Sequence, residues 1–237
     1  MHIAICIWGI CRSSGYTYDS FKKNILDKLS EFGFTYDILL HTYTIDHYTN
    51  RRAGEIGCKL DNTAWRLFNP IKSIIEDQDV VDAQLDLHKY RTHRDPWNSN
   101  FKDSTFDNHI RSLYSLKQVT SLVGEGYDAI MYCRPDVRYL HPLQRVWFEP
   151  ARLTSCVQIP NFCKFPINDR FCLAAPHISR FFGTRFDDAY EFSKHRELHS
   201  ESFLQHIFQK HGIRIHEISF NFRRVRATGV EIDTHVK

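Results

Sequence analysis

The residues best placed to do chemistry stand at the end of a short apolar run. Ala129 to Cys133 read as a strand buried on both faces, and the character then changes at once to Arg134, Pro135, Asp136, Val137 and Arg138. A carboxylate flanked by arginines at the tip of a buried strand delivers charge to a sheet edge. In open α/β sheets, ligands sit beyond the carboxyl ends of the strands. Pro135 fixes its own φ and pushes Arg134 towards an extended conformation, so the turn presenting Asp136 is stiff. Asp136 is the expected chemical centre.

Other charged residues can be set beside it. Asp169, between Asn168 and Arg170, abuts a small apolar run from Phe171 to Ala175; it could be a general base or a turn residue bonded to backbone. Arg223, Arg224 and Arg226 form the densest basic cluster, and an extended chain puts Arg224 and Arg226 on one face. Such a pair suits a phosphate or diphosphate, or else it is a charged edge strand that deters pairing. Arg12 lies in a polar loop bracketed by Gly9 and Gly15, ahead of a helix N-terminus whose N–H groups favour an anion. It could pair with a phosphate or be a solvated loop arginine. The loop is neither a P-loop nor a G-x-G-x-x-G turn. Lys117 could reach a cleft or lie along its helix surface. With no G-x-S-x-G, no Cys/His signature and no H-E-x-x-H, a hydrolase is disfavoured. A divalent Mg²⁺ or Mn²⁺ bridging Asp136 and a diphosphate fits better, because such ions take one or two carboxylates plus phosphate oxygens and assist a departing diphosphate.

The elements that must position these groups follow from periodicity. Ile3 to Trp8 form a first buried strand. The helix after it carries Phe21, Ile25, Leu29 and Phe32 at helical spacing, with Thr17 or Asp19 as its cap and Gly33 as its stop. Ile38 to Leu40 form a second strand, ending in His41, Thr42 and Tyr43, which gives a βαβ unit with a parallel pair. The polar ends at Gly9 to Ser14, His41 to Tyr43 and Arg134 to Arg138 should therefore meet along one sheet edge. Ala64 to Glu76 read as a helix broken by Pro70, Val80 to Tyr90 as a short element, and 91–105 as a loop that is either a flap over the cleft or a surface excursion. Phe106 to Val123 form a helix. Strands are expected at Val157 to Pro160 and Ile213 to Ile218, and helices over 177–182, 186–192 and 200–210.

Composition bounds the function. The length of 237 residues suits one α/β domain with an appended helical segment, and 42% hydrophobic and 25% charged residues are ordinary for a globular chain. Eighteen Phe and eleven Tyr fit an aromatic core, a cleft with stacking surfaces, or both. A net charge of +3 argues against nucleic-acid binding, although the FNFRRVR segment keeps RNA as a minor reading. Seven cysteines without a C-x-x-C pair do not support zinc and read as reduced thiols. The chain opens directly on a strand and has no run long enough to span a membrane, so a soluble, cytoplasmic protein is expected.

Four segments in order, IWGICRS…YDILLHTY, YDAIMYCRPDVRYLHPL, NDRF and FNFRRVRATG, resemble a group of small glycosyltransferases found in large algal viruses and in microbes, including viral enzymes that build capsid-glycoprotein glycans. The resemblance implies a GT-A-like α/β fold: a Rossmann-type, mainly parallel sheet flanked by helices, with a more irregular acceptor-side C-terminal half. It implies one domain over 1–237, with a nucleotide-sugar-binding half at 1–143 and an acceptor and catalytic half at 144–237. The implied activity transfers a sugar from a nucleotide-sugar donor to a hydroxyl of a glycan or glycoprotein; a UDP-sugar and inversion are the expected donor and course, with Asp169 as the base if the reaction inverts. Gly9, Arg12, Ser13, His41 and Tyr43 would hold the nucleotide; from their own positions in the chain, Lys117 and Arg134 are added as expected donor contacts. Asp136 would bind the metal and the diphosphate, Arg224 and Arg226 would steady the leaving group, and Asp169 would be the base. The family's D-x-D-type motif is incomplete, since Arg134 stands at its first acidic position. That departure keeps open a catalytically degenerate domain that binds nucleotide or glycan without turnover.

Overall fold

The computed structural model describes residues 1–232; the expected second half, 144–237, ends outside the described residues. Strand β1 (His2–Trp8) is apolar and buried from Ile3 onward because both of its faces are covered there. Ile3, Ile5 and Ile7 pack into one core layer, and Ala4, Cys6 and Trp8 into the other. The helix that follows starts at Ser14, earlier than the Thr17 or Asp19 cap expected. It runs as α1 (Ser14–Phe21), a π-helical turn (Lys22–Leu26) and α2 (Asp27–Glu31). Gly33 stops it with φ +75°. Thr17 is an interior helix residue whose Oγ1 donates to Pro135 O at 2.6 Å, so this helix pins the Asp136 turn. Strand β2 (Thr35–Thr44) pairs in parallel with β1 and extends well past the expected Ile38 to Leu40. His41 and Tyr43 thus belong to the strand itself rather than to a loop at its tip.

A hairpin, β3 (His47–Asn50) and β4 (Glu55–Lys59), comes next and was not expected. The helix expected over 64–76 is replaced by a 3₁₀ turn (Ala64–Phe68) and strand β5 (Lys72–Asp77), which lies parallel to β2. Asn69 turns left-handed at φ +46° and Pro70 follows, so the two pieces separate where helix geometry fails. Asp77 caps α3 (Gln78–Leu85) by accepting from Asp79 N at 2.9 Å and Val80 N at 3.1 Å. The loop before α4 (Thr105–Ser121) is knotted around Asp95, which accepts from the backbone N–H groups of Trp97, Ser99 and Phe101 at 2.9–3.0 Å. Then come β6 (Ala129–Cys133), β7 (Val137–Tyr139), α5 (Pro150–Leu153), β8 (Val157–Pro160) and β9 (Phe171–Ala174). Helices α6 (Pro176–Gly183), α7 (Phe186–Ser193) and α8 (Ser200–Lys210) fall where expected and precede β10 (Ile215–Ile218), β11 (Phe222–Val225) and β12 (Glu231–Ile232).

The architecture is mixed α/β with a mainly parallel central sheet flanked by helices. Its strand order is β10-β8-β9-β6-β1-β2-β5, and β9 runs antiparallel to its neighbours β6 and β8. Both expected halves contribute strands. Helices α4, α6 and α8 supply the layer over Trp8 and Tyr132, and Gly183 sits so close there that a Cβ would lie 2.2 Å from Thr120 Oγ1 and Tyr132 OH. A smaller antiparallel sheet, β12-β11-β7, carries the chain on from the Asp136 turn. Because β1 is parallel to both β2 and β6, with Trp8 opposite His41 and Ile7 opposite Cys133, the carboxyl ends of all three strands lie at one edge.

Candidate functional site

At that edge lies a cleft of about 440 Å³. Its floor begins at Gly9, whose φ of +95° lets β1 turn sharply, a conformation that L side chains resist. Gly9 N donates to Ser115 Oγ at 2.8 Å, and Ser115 Oγ lies 2.7 Å from His41 Nδ1. His41 Nε2 lies 2.8 Å from Glu76 Oε2. Both ring nitrogens of His41 are therefore occupied behind the cleft, and burial lowers its pKa although Glu76 opposes that. His41 holds the β1 turn from below and does not line the cleft, contrary to the expected nucleotide contact. Ser13 is also buried, at the helix start, and is not on the cleft wall. Tyr43 does line it, with its hydroxyl donating to Arg111 O at 2.8 Å.

Asp136 sits at the centre, 1% exposed. Arg134 grips it side-on, with Nε 2.7 Å from Oδ1 and Nη2 2.8 Å from Oδ2, and Arg12 Nη2 reaches Oδ2 at 2.7 Å. Burial alone would raise this carboxyl's pKa, but the charges of Arg134 and Arg12 hold it well below the usual carboxylate range. Arg12 Nη1 also donates to Tyr48 OH at 2.6 Å and Glu55 Oε2 at 3.3 Å. Glu55, on the hairpin, further accepts from Arg226 Nη1 at 3.4 Å and Ala227 N at 2.8 Å. The hairpin is thereby tied to the far end of the chain. Val225 N donates to Asp136 O at 2.9 Å, and Arg224 pairs with Val137, so β11 delivers Arg224 and Arg226 to the cleft. Burial and the neighbouring charges of Arg170 and Arg226 bring the Arg224 guanidinium down to about 10.

Asp169 faces the same cleft. Asn168 sets its position: Asn168 Nδ2 donates to Phe162 O at 2.9 Å, and its Oδ1 accepts from Arg170 N at 2.9 Å. Burial pushes Asp169 up, yet the charges of Arg170 and Arg185 hold it below the ordinary value, so it is an anion. Its ion pair with Arg170 Nε is long, at 3.9 Å. The neighbouring His109 is brought down to about 3 by burial and is neutral.

The residues do not fit the expected metal. Both oxygens of Asp136 are taken by guanidinium groups, so an ion there would have to displace one of them and sit against the other. Asp169 is likewise ringed by cations. Among the described residues, no group of three His, Cys, Asp or Glu is placed to hold an ion. Lys117 also departs from expectation: it lies on the surface, paired with Asp187 Oδ1 at 2.5 Å, away from the cleft. Residues that sequence reasoning passed over include Tyr48, Glu55, Trp97 and His109. Only His109 had a readable signal, since it shares the helix face of Phe106, Ile110 and Leu113 and is the polar break in that apolar stripe.

No protein-family model and no curated protein sequence matches this chain. Among solved structures, it is similar to the apo form of mouse xyloside xylosyltransferase 1, with 10% identity, 92% of this chain and 85% of that one covered, and a TM-score of 0.46. The glycosyltransferase GlyE of Streptococcus pneumoniae TIGR4 gives 10% identity and a TM-score of 0.46 over 92% of this chain and 46% of GlyE. An active-site mutant of LgtC gives 10% identity and a TM-score of 0.46 over 91% of this chain and 72% of that one. Among the described residues, no helix is long and apolar enough to cross a membrane.

Proposed function

We propose that the chain is a glycosyltransferase that moves a sugar from a UDP-linked donor to a hydroxyl of a glycan acceptor. The observation that carries this reading is the pairing, in one cleft at the carboxyl edge of the sheet, of an arginine wall with an ionised carboxylate, Asp169, whose ion pair is long. Arg224 and Arg226 stabilise the diphosphate as it leaves, and Asp169 takes the proton of the acceptor hydroxyl. In that step the acceptor oxygen bonds to C1 of the sugar, the bond from C1 to the diphosphate oxygen breaks, and UDP departs with the electron pair. The supply of carboxylates favours inversion in this reading. Asp136 is engaged by two arginines, which leaves one cleft aspartate to act as base and no second one to act as nucleophile.

The test is a panel of nucleotide sugars with oligosaccharide acceptors, read by UDP release and by the mass of the acceptor. One donor should give an acceptor heavier by one sugar residue. Failure of every nucleotide sugar to bind or react would overturn the reading. Tight binding without any transfer would favour a degenerate, binding-only domain, which the saturation of Asp136 also suits.

A further inference from the structure

We infer that the donor diphosphate is neutralised by guanidinium groups of this chain and needs no protein-bound divalent cation. The inference rests on the nucleotide-sugar reading above and concerns how that ligand is held. Seven arginines and two aspartates line the cleft. Three further acids are paired with those arginines: Glu55 with Arg12 and Arg226, Asp82 with Arg111, and Glu201 with Arg170. With Glu201 ionised, as it is above its raised pKa of about 7, two positive charges are left over, and a third appears when Glu201 takes up its proton. Among the described residues, Arg52 and Arg224 are the cleft arginines that form no ion pair. Arg52 Nη1 donates to Trp97 O at 3.1 Å, while Arg224 makes no side-chain hydrogen bond and keeps its Nε buried without a partner. A diphosphate esterified at both ends carries two negative charges, so the cationic surplus is enough to neutralise the ligand.

The carboxylates point the same way. A metal-binding aspartate must offer a free oxygen, and Asp136 spends both of its oxygens orienting Arg12 and Arg134. The sequence feature behind this is Arg134 itself, a cation at the place where a D-x-D-type motif has its first acid. A guanidinium fork matches phosphate geometry through paired N–H donors, so it supplies charge and orientation together. Here Arg224 and Arg226 occupy the C-terminal wall, and Arg52 reaches in from the hairpin.

Calorimetric titration of the full chain with UDP, once in EDTA and once in excess Mn²⁺, tests this directly. UDP should bind with the same Kd within about 2-fold in the two buffers. Arg224→Ala and Arg52→Ala should each weaken UDP by roughly 10-fold or more while leaving uridine, which has no phosphate, nearly unaffected. Arg224 makes no ion pair in the fold, and thermal melts of both variants check that they fold. UDP binding that requires Mn²⁺, or that is indifferent to both substitutions, overturns the inference while leaving sugar transfer standing. No UDP binding in either buffer removes the nucleotide-sugar reading and this inference together.

Discussion

Arg12 and Asp136 lie 124 positions apart in the chain and meet at 2.7 Å. The contact joins the first turn of the sheet edge to the central one, and Glu55 then joins both to the β11 end through Arg226. The cleft is built around anions that hold cations in place, so its acids act first as counter-charges.

Asp136→Asn is expected to be strongly destabilising. It leaves two buried guanidiniums facing a neutral amide, and breaking one side of a buried ion pair costs about 3–5 kcal/mol. In a chain of this size that lowers Tm by roughly 10 °C, at about 2–4 °C per kcal/mol. The pH dependence has a definite sign. The folded pKa of Asp136 is depressed, so its stabilisation is fully present above the unfolded value of about 3.9 and is lost as pH falls towards the folded one. Urea melts of wild type and variant between pH 7 and pH 2 should therefore converge in acid.

Asp169→Asn separates chemistry from folding. Its one direct ion pair is long, so the variant should lose less stability than Asp136→Asn, although Arg170 and Arg185 each lose a counter-charge. Loss of a general base should lower kcat by roughly 10²–10⁴-fold with little change in donor affinity. Because its pKa lies below the ordinary carboxylate value, the acidic limb of the wild-type rate profile should fall below about pH 4. Steady-state kinetics with the donor identified in the panel check both points, and a wild-type rate in the variant would remove the base assignment.

The sheet was legible in the sequence because its strands announce themselves. Ile3 to Trp8 and Ala129 to Cys133 are unbroken apolar runs, and runs of that kind mark strands covered on both faces. Their shared direction puts Arg12, Arg134 and Asp136 at one rim. Less was legible where pairing across long sequence separations decides the outcome. Residues 72–77 show a helical apolar spacing, yet β2 offers them an open parallel edge and the tertiary partner wins. Glu55 carries no local mark of its role, because its three partners come from residues 12, 226 and 227. Strand β2 runs on to Thr44, four residues past the expected Leu40, so His41 lies within the strand, where Ser115 and Glu76 engage its ring.

Lys117→Ala tests the surface position of that side chain. The Lys117–Asp187 pair is about half exposed on both sides, and such pairs contribute at most about 1 kcal/mol. Sugar transfer should stay within 2-fold of wild type, measured at saturating donor. A large rise in donor KM would return Lys117 to the binding site.

Gly183→Ala tests the close approach of α6 to α4 and β6. A methyl group there would meet Thr120 Oγ1 and Tyr132 OH at 2.2 Å, so the Thr120–Tyr132 hydrogen bond at 3.1 Å must open or the helix must move out. Overpacking of this kind costs roughly 1–3 kcal/mol. A chemical melt should show it, and an unchanged midpoint would mean that α6 slides freely on α4.

Glu201 gives the opposite pH signature to Asp136. Burial, then the nearby charge of Asp169, raises its carboxyl to about 7, although Arg170 Nη2 lies 3.4 Å away. A raised carboxyl pKa means that the folded chain holds a proton the unfolded chain has released. Stability from this group is therefore complete below the unfolded value of about 4.3 and declines as pH rises to about 7. Glu201→Gln keeps a neutral, hydrogen-bonding side chain at every pH. It should flatten that decline and leave the variant more stable than wild type at pH 8, by an order-of-magnitude figure of ~1–3 kcal/mol. Denaturant melts at pH 5 and pH 8 decide it: equal stabilities at pH 5 with a gain at pH 8 are expected, whereas a loss at pH 8 would mean that the ionised Glu201–Arg170 pair outweighs the burial of the carboxylate.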